Sequence, residues 1–341
     1  MRLRSIFLIS FVISFFLTPL ISRLSLKLGI VDLPGERKMH AHPTPILGGL
    51  AIFIATAFPL VLRMNLSGQT LGVVLAGSLI IASSLINDIK AISARIRFLI
   101  EVIASLILVY HGIRFELFAD SSPLFFLNYI LTIAWVVGVI NAVNYLDGLN
   151  GLLTMLSLVM LASFAYIGYI SNQFLLLTVI ASLAGALLGF LRYNFPEARI
   201  FLGDTGSKFI GFSLAVISLV GSWAQDSIVK LFVPVFILGV PILDMGFTTL
   251  MRIRENKVKT VKELLEYAGK DHIHHRLLSI GLNARQAVYF ICVMSLSLGI
   301  SGIILYNSER TDVWFSLIQA FCVFFIISIV MVLGEKTAKN V

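Results

Sequence analysis

Apolar runs of about 20 residues recur along the whole 341-residue chain, and they constrain its fold more than any other feature. A helix of that length spans a bilayer's hydrocarbon core, where every backbone polar group must be bonded internally. Hydrophobic residues make up 58% of the chain, and only 13% of residues are charged, about half the ~25% of a soluble domain. The sequence therefore predicts an all-α, polytopic integral membrane protein.

These runs predict about eleven transmembrane helices within a single domain over residues 1–341. The division at Ser171-Asn172 is the shortest, and without it the count would be ten. The predicted spans are 4–22, 46–63, 70–86, 97–113, 124–143, 152–171, 173–192, 208–224, 229–250, 286–306 and 313–334.

The distribution of Lys and Arg predicts the orientation. Placing the loop at 23–45 on the cytoplasmic side puts most of the 26 basic residues in cytoplasmic loops, as the positive-inside rule requires. The N-terminus is then outside and the C-terminus is cytoplasmic, and the largest cytoplasmic loop covers 251–285. A basic surface beside anionic membrane lipids explains the net charge of +8, so we expect no nucleic-acid partner.

Five aspartates fall at or just past the predicted cytoplasmic ends of these spans: Asp88, Asp147, Asp204, Asp244 and Asp271. Two of them belong to polar signatures, Asn141-Ala-Val-Asn144-Tyr-Leu-Asp147-Gly148 and Phe201-Leu-Gly203-Asp204-Thr205-Gly206-Ser207. Carboxylates gathered at one membrane surface suggest a site for a metal ion and phosphates.

Each signature also has a structural interpretation. Asn141, Asn144 and Asp147 are spaced by three residues and lie close to one helical face. A functional role is favoured there over hydrogen bonding between helices, which stays open. Glycines on both sides of Asp204 would let a cation or a diphosphate approach the backbone. Capping of the next helix by Asp204 or Thr205 is the alternative, and both can hold.

The remaining cytoplasmic loops carry weaker signals. Lys38 and His40 lie within a proline- and glycine-rich turn and can project towards one ligand, although a positive-inside anchor explains that loop alone. Asn87-Asp88 precedes basic residues that could form a solvated ion-pair cluster. The last loop ends in Asp271-His272-Ile-His274-His275-Arg276, where contacts to phosphate or sugar are favoured over zinc, because no cysteine or second ligand cluster accompanies the histidines.

Taken together and in order, these motifs resemble the polyprenyl-phosphate N-acetylhexosamine-1-phosphate transferases, glycosyltransferase family 4. The resemblance covers nearly the whole chain. Its His-Ile-His-His-Arg form is similar to the branch that starts O-antigen, enterobacterial common antigen or wall teichoic acid, rather than the peptidoglycan branch. The matching segments are Arg37-Lys38-x-His40 with Pro45 and Gly48-Gly49, Asn87-Asp88, Asn141 to Gly148, Asn194-x-Pro196 with Phe201 to Ser207, and His272 to Arg276.

The resemblance implies transfer of a sugar-1-phosphate, GlcNAc-1-phosphate above all, from a UDP-sugar to undecaprenyl phosphate with release of UMP. It implies an active site on the cytoplasmic face of the bacterial inner membrane. The reaction would be the first step of lipid-linked cell-envelope polysaccharide synthesis. Two polyanions meet in this reaction, so Mg²⁺ is the expected cofactor, with Mn²⁺ as an alternative. A homodimer is left open. The alternatives are another UDP-N-acetylhexosamine, a catalytically weakened homologue and a membrane transporter.

The resemblance also implies roles for individual residues. Asp204 would be the principal metal ligand, Asp147 a second one, and Asp88 would complete the acidic site. Asn194 and Phe201 would hold the uridine, Phe201 by stacking. The other implied substrate contacts are Lys38, His40, Asn144, Gly203, His272, His274, His275 and Arg276.

One departure from the family pattern stands at the centre of the site, because Asn87 occupies the first position of an Asp-Asp pair and Ala91 replaces a further acidic residue. Asparagine can act neither as a base nor as a nucleophile. A phosphate monoester has its second pKa near ~6 and is largely dianionic at neutral pH. We therefore hypothesise direct attack by the lipid phosphate, with Asn87 in a positioning role within the catalytic group.

Overall fold

The computed structural model describes residues 2–33, 42–66, 68–224, 227–260, 263–264, 267, 269, 271–306 and 310–339. It confirms the all-α prediction, with one antiparallel pair of two-residue strands, β1 (Val31–Asp32) and β2 (Thr44–Pro45). The helices in the described part of the chain are α1 (Leu3–Lys27), α2 (Gly48–Val61), α3 (Gly68–Ile89), α4 (Ala94–Tyr110), α5 (Leu127–Tyr145), α6 (Leu152–Ile170), α7 (Phe174–Asn194), α8 (Gly203–Val220), α9 (Ser227–Ile237), α10 (Gly239–Arg254), α11 (Ile273–Ser279), α12 (Ala284–Tyr306) and α13 (Arg310–Lys339).

Within the described residues, seven helices are long and apolar enough to cross a membrane: α1, α3, α5, α6, α7, α12 and the Trp314–Leu333 part of α13. Helices α9 and α10, which are bent by 81° at their junction, would together supply an eighth. The other predicted spans also contain helices, but α2 has 14 residues and α4 has 17, fewer than the ~20 that cross the hydrocarbon core. The chain is a multi-pass membrane protein, whereas the count of eleven and the orientation stay predictions.

The proposed break between the sixth and seventh spans is present. Helix α6 ends at Ile170 and α7 begins at Phe174. Between them Asn172 has a φ of 56°, in the left-handed region that asparagine tolerates better than most residues. The break between the two helices therefore needs only three residues.

The chain divides into two compact units, and each is assembled from two separate stretches of sequence. The first unit comprises Met1–Ile140 and Asn172–Gly221, and the second comprises Asn141–Ser171 and Ser222–Val341. The division passes through α5 after Ile140. That the whole chain acts as one domain stays a prediction.

Small residues allow close helix packing in the first unit, where α1 packs on α7 and α2, and α3 packs on α4 and α8. A Cβ added at Gly185 of α7 would lie 2.2 Å from the carbonyl oxygen of Phe7, and one at Gly189 would lie 2.5 Å from that of Phe11. Such close approach is typical of helices that associate in lipid. On the outer face of α1 Phe16 is 64% exposed, as expected for a side chain that contacts lipid.

In the second unit α12 is central and packs against α6, α9 and α13, while α11 packs against α13. Gly299 of α12 faces Ser163 of α6, where an added Cβ would lie 2.3 Å from the hydroxyl oxygen. Phe164 and the fully buried Trp223 pack with their ring centroids 4.8 Å apart. These contacts hold the helices from which the histidine motif extends.

Candidate active site

In the first unit Asp88 caps the N-terminus of α8 from another helix. Its Oδ1 accepts a hydrogen bond from the backbone N–H of Asp204 (2.8 Å). Its Oδ2 accepts from the backbone N–H (3.0 Å) and the hydroxyl (2.6 Å) of Thr205. The first N–H groups of a helix have no partner within the helix, and the helix dipole favours a negative charge there. The sequence offered Asp204 or Thr205 as the cap of this helix, whereas in the structure Asp88 of α3 supplies it.

The carboxylate of Asp204 lies next to two donors. Its Oδ2 accepts hydrogen bonds from Nδ2 of Asn87 (2.7 Å) and Nη1 of Arg97 (3.1 Å). Oδ1 of Asn87 accepts the backbone N–H of Ile92 (3.0 Å), which fixes the orientation of the amide. Because both functional atoms of Asn87 are used in this way, the structure gives the side chain a positioning contact with Asp204. The side chain of Asp204 is 24% exposed.

Glycines bring the motif segments of the first unit together. Gly203 has a φ of 68°, and an added Cβ would lie 2.2 Å from the carbonyl oxygen of Ile46 and 2.8 Å from Oδ2 of Asp88. A Cβ at Gly49 would lie 2.0 Å from the backbone nitrogen of Gly206. These glycines therefore serve backbone packing, and a contact between Gly203 and substrate stays a prediction.

The two residues predicted to bind uridine flank the turn between α7 and α8. Asn194 is buried, and its Nδ2 donates to the carbonyl oxygen of Ile200 (3.1 Å), closing this turn. The backbone N–H of Phe201 donates to the carbonyl oxygen of Pro45 (2.8 Å), and its own carbonyl accepts the N–H of Gly48 (3.0 Å). Phe201 as a whole is half-buried. The predicted contacts of Lys38 and His40 lie outside the described residues, in the segment 34–41.

The second unit holds the remaining predicted residues. Asp147 lies in the turn after α5, half-buried like Asn141 and Asn144, and its N–H donates to the carbonyl oxygen of Asn144 (3.1 Å). A Cβ added at the next residue, Gly148, would lie 2.0 Å from Nε2 of His274. The ring of the central histidine in the motif thus packs directly on the backbone of the Asp147 turn.

His274 is 1% exposed, and within the described part of the chain neither of its ring nitrogens has a hydrogen-bond partner. Burial lowers the pKa of His274 well below its usual range, and the neighbouring His275 and His272 lower it further. A buried imidazole that stays neutral can accept one hydrogen bond and donate another. His274 is accordingly a buried polar group with unused bonding capacity.

His272 is held from three sides. Its Nδ1 lies 2.6 Å from Oδ2 of Asp244, and its Nε2 lies 3.3 Å from a guanidinium nitrogen of Arg252. Because guanidinium can only donate, Nε2 accepts, and Nδ1 carries the proton that bonds to Asp244. The ring also stacks on Tyr145 at a centroid distance of 4.9 Å. Asp244 accepts the N–H of Ile273 as well (2.6 Å), so one buried carboxylate orients the start of the motif.

Arg252 and Arg276 fix the loop around the motif. Arg252 makes two 2.7 Å hydrogen bonds to the carboxylate of Asp271. Burial alone would raise the pKa of Asp271, but these bonds outweigh it and hold the pKa below its ordinary value. Arg276 is buried and donates to the carbonyl oxygens of Asp271 and Met331 (2.7 and 2.6 Å). The described geometry thus gives His272 and Arg276 contacts within the protein, and their predicted contacts with substrate stay predictions.

Comparisons with known proteins agree with this arrangement of motifs. Residues 70–222 match the sequence model described as Glycosyl transferase family 4. The chain is 33% identical to the probable undecaprenyl-phosphate N-acetylglucosaminyl 1-phosphate transferase of Bacillus subtilis (strain 168), over 97% of this chain and 91% of that protein.

The chain belongs to glycosyl transferase family 4.

Further relatives in family 4 span most of the chain. The decaprenyl-phosphate N-acetylglucosaminephosphotransferase of Mycolicibacterium smegmatis is 30% identical over 88% of this chain and 82% of its own length. The undecaprenyl-phosphate alpha-N-acetylglucosaminyl 1-phosphate transferase of Escherichia coli (strain K12) is 26% identical over 98% of this chain and 91% of its own length.

The structure of this family 4 member also shows contacts of the predicted site residues that the motifs did not predict. Arg97 bonds to Asp204, and His272 contacts Asp244, Arg252 and Tyr145. Within the described segments no group of three or more His, Cys, Asp or Glu side chains is arranged to hold a metal ion. The predicted cluster of Asp88, Asp147 and Asp204 therefore stays a prediction, and Asp147 lies in the second unit.

Proposed function

We propose that this chain transfers GlcNAc-1-phosphate from UDP-GlcNAc to undecaprenyl phosphate and releases UMP. The observation that carries the proposal is the half-buried carboxylate of Asp204, fixed between Asn87 and Arg97 at an N-terminus capped by Asp88. The relatives that span nearly the whole chain are named as N-acetylglucosaminyl 1-phosphate transferases that use undecaprenyl phosphate. The reaction requires a site where two polyanions and a cation meet, and this arrangement suits it.

The residues around Asp204 fit a magnesium ion. Mg²⁺ in phosphate-transfer sites is held by one or two carboxylates together with substrate phosphates, rather than by a closed protein cage. Asp204 offers this kind of ligand, because Asn87 and Arg97 both bond to Oδ2, and Oδ1 takes neither hydrogen bond. Bound there, Mg²⁺, or Mn²⁺ in its place, would offset the charge on the phosphates that react. Asp147 is proposed as a second ligand on its motif alone.

Each residue of the first unit then has a proposed task. Asp88 fixes the first turn of α8, and thereby the direction of the Asp204 side chain. Arg97 supplies a cation beside the site, suited to a diphosphate. Asn87 orients Asp204 without adding a second negative charge. Since the lipid phosphate is already largely dianionic at neutral pH, it can attack the sugar-bearing phosphate directly, and no residue needs to act as a base.

The histidine motif of the second unit is proposed to bind phosphate or sugar. His274 suits this task through its two ring nitrogens, which have no partner among the described residues, and His275 is half-buried beside it. His272 and Arg276 would act mainly by holding this segment in place, given their contacts with Asp244 and Met331. Asn194 and Phe201 are proposed for the uridine, and Lys38, His40 and Asn144 for the phosphates or sugar.

The proposed setting is the bacterial inner membrane, with the site facing the cytoplasm. Support comes from the apolar helices, from the bacterial relatives and from the concentration of basic residues in the loops assigned to the cytoplasm. UDP-sugars are cytoplasmic metabolites in this scheme, and the lipid phosphate reaches the site from the membrane. A homodimer remains an expectation.

The test is release of UMP by the purified protein with undecaprenyl phosphate, Mg²⁺ and a panel of UDP-N-acetylhexosamines. We expect UDP-GlcNAc to give the highest kcat/KM. Asp204→Asn should abolish activity and retain the fold, because the amide preserves the size of the side chain. Release of UMP with none of the sugars would exclude the transferase function, and preference for another sugar would correct the donor.

Asn87→Asp tests the positioning role separately. A carboxylate at this position would lie about as close to Asp204 as the amide does now (2.7 Å), so the like charges would repel each other unless a cation separates them. We expect the variant to bind Mg²⁺ more tightly, to require less of it for half-maximal activity, and to remain within tenfold of the natural chain at saturating Mg²⁺. Activity that appears only in the variant would show that the natural chain is a weakened homologue.

A further inference from the structure

Two ion pairs connect α4 with α8 in the first unit. The site pair joins Nη1 of Arg97 to Oδ2 of Asp204 at 3.1 Å, and the buried pair joins Nζ of Lys208 to Oε1 of Glu101 at 2.8 Å. Arg97 and Glu101 are four residues apart on α4, and Asp204 and Lys208 are four residues apart on α8. The pairs therefore lie one turn apart, in the same order along both helices.

The two pairs differ in how far water reaches them. The side chains of the buried pair are 5% and 2% exposed, whereas those of the site pair are 32% and 24% exposed. An ion pair that water can reach tolerates displacement, because water can replace either partner. A buried charge without its partner is strongly unfavourable, so the buried pair tolerates almost no displacement. Of the two contacts, the buried pair is the one that can hold the helices in position.

Helices α4 and α8 each pack against α3, and the two ion pairs bridge them directly. A slide of α4 along α8 would separate Glu101 from Lys208 at a large cost, because both charges are buried. The same slide would carry Arg97 away from Asp204, because residues four apart on a helix move together.

We propose that Glu101 and Lys208 are positioning residues for the transfer reaction, whose ion pair fixes α4 against α8 and thereby sets Arg97 on Asp204. The inference rests on the proposed function for its catalytic consequence, and its structural part stands independently. Neither residue contacts the proposed substrates in this scheme. Both act through the site pair, one turn away.

The catalytic test uses the full chain in detergent or lipid. Lys208→Met removes one charge, and Glu101→Gln with Lys208→Gln replaces the ion pair by two amides that can bond to each other. Ser218→Ala is the matched control, because Ser218 is a buried polar residue at the far end of α8 that accepts a hydrogen bond from Trp135 (2.8 Å). We expect Lys208→Met to lower kcat roughly 10- to 100-fold, the range produced by displacements near 1 Å, with the KM for UDP-GlcNAc changed less than threefold.

The double amide variant should recover at least half of the lost activity on a logarithmic scale, and Ser218→Ala should retain the natural kcat. A merely structural pair would give a different result. In that case activity would follow the folded fraction in every variant, and kcat per folded molecule would stay constant. That result would overturn the proposal.

A double-mutant cycle read by Tm tests whether the buried pair positions the site pair, and it needs no measurement of activity. Arg97→Gln should lower Tm in the natural chain and leave Tm unchanged in the Lys208→Met background, because the site pair no longer forms there. Equal shifts in both backgrounds would contradict the proposal. If Lys208→Met does not fold, the double amide variant replaces it, and a persistent Arg97→Gln shift is then expected. If the natural chain releases no UMP, the proposed function fails. The double-mutant cycle then still shows whether the site pair depends on the buried pair.

Discussion

At the residue scale, Gly148 makes room for an imidazole ring on the backbone of the Asp147 turn. Gly148→Ala would place a Cβ 2.0 Å from Nε2 of His274, so the ring or the turn must move. We expect about 1–3 kcal/mol of destabilisation, typical of overpacking, and a loss of UMP release larger than the folded fraction explains. Thermal unfolding and kinetics on the same preparation measure both.

The matched control is Gly246→Ala in α10, where an added Cβ would meet nothing within 4 Å. Alanine is the better helix former, so this substitution should leave activity unchanged and raise stability slightly. Equal behaviour of the two alanine variants would show that the space beside His274 is unimportant.

The low pKa of His274 predicts a pH dependence of stability. As the pH falls through the unfolded-state value of ~6.5, the unfolded chain gains a proton at this position, and the folded chain does not. The free energy of unfolding should therefore fall by up to ~1.4 kcal/mol per pH unit below about 6.5. Tm measured between pH 7.5 and 5.5 should decline less steeply for His274→Leu than for the natural chain. Parallel declines would argue against a buried neutral imidazole.

The sequence predicted that Asp88 and Asp204 lie together, and the structure brings them into contact, but the sequence did not predict their partners. Both are carboxylates at the ends of apolar runs, where an unpaired charge is unfavourable. That Asp88 caps α8 while Asp204 points to Asn87 and Arg97 depends on contacts between residues more than 100 positions apart. Motif spacing contains no information about such pairings.

At the element scale, the first turn of α8 depends on α3 for its cap. Asp88→Ala would leave two backbone N–H groups and the Thr205 hydroxyl without their acceptor. We expect a loss of about 1–3 kcal/mol and of nearly all activity, since Asp204 loses its orientation. Thr205→Ala removes only the hydroxyl bond and should lower stability by about 1 kcal/mol. Thermal unfolding of both variants measures the difference, and equal losses would contradict the capping role.

Helix positions were largely predictable from the apolar runs, but one break was not anticipated. The segment 229–250 was predicted as one span, whereas the structure ends α9 at Ile237 and begins α10 at Gly239 with an 81° bend. Pro241 offers a reason, because a proline ring clashes with the carbonyl group four residues earlier, here that of Ile237. A hydropathy pattern alone does not show where a proline interrupts a helix.

At the scale of the whole molecule, the placement of charge predicts which loops face the cytoplasm. In a chain with Cys292 and Cys322 replaced by alanine, a single cysteine at Ala91 should react with a membrane-impermeant thiol reagent only after the membrane is opened. A single cysteine at Asn65, in the loop between α2 and α3, should react in intact cells. Both positions are exposed. The reverse pattern would invert the assigned topology.

Composition was sufficient to predict the class of fold, because a chain this apolar has few alternatives to a set of membrane helices. The division into two units could not be predicted, since each unit combines two stretches of sequence that the other interrupts. The length of each span was also difficult to predict. Helices such as α2 are apolar yet short, and a hydropathy pattern shows apolar extent rather than the residue at which a helix ends.

The cap on α8 has a consequence for biosynthesis. Its acceptor is in α3, more than 100 residues earlier in the chain, so α3 leaves the ribosome well before the helix that it completes. The Asp204 turn can therefore take its final form only after a late helix docks on an early one within the membrane. Insertion and activation are thus separate events, and a nascent chain released before α8 docks would be embedded in the membrane but inactive.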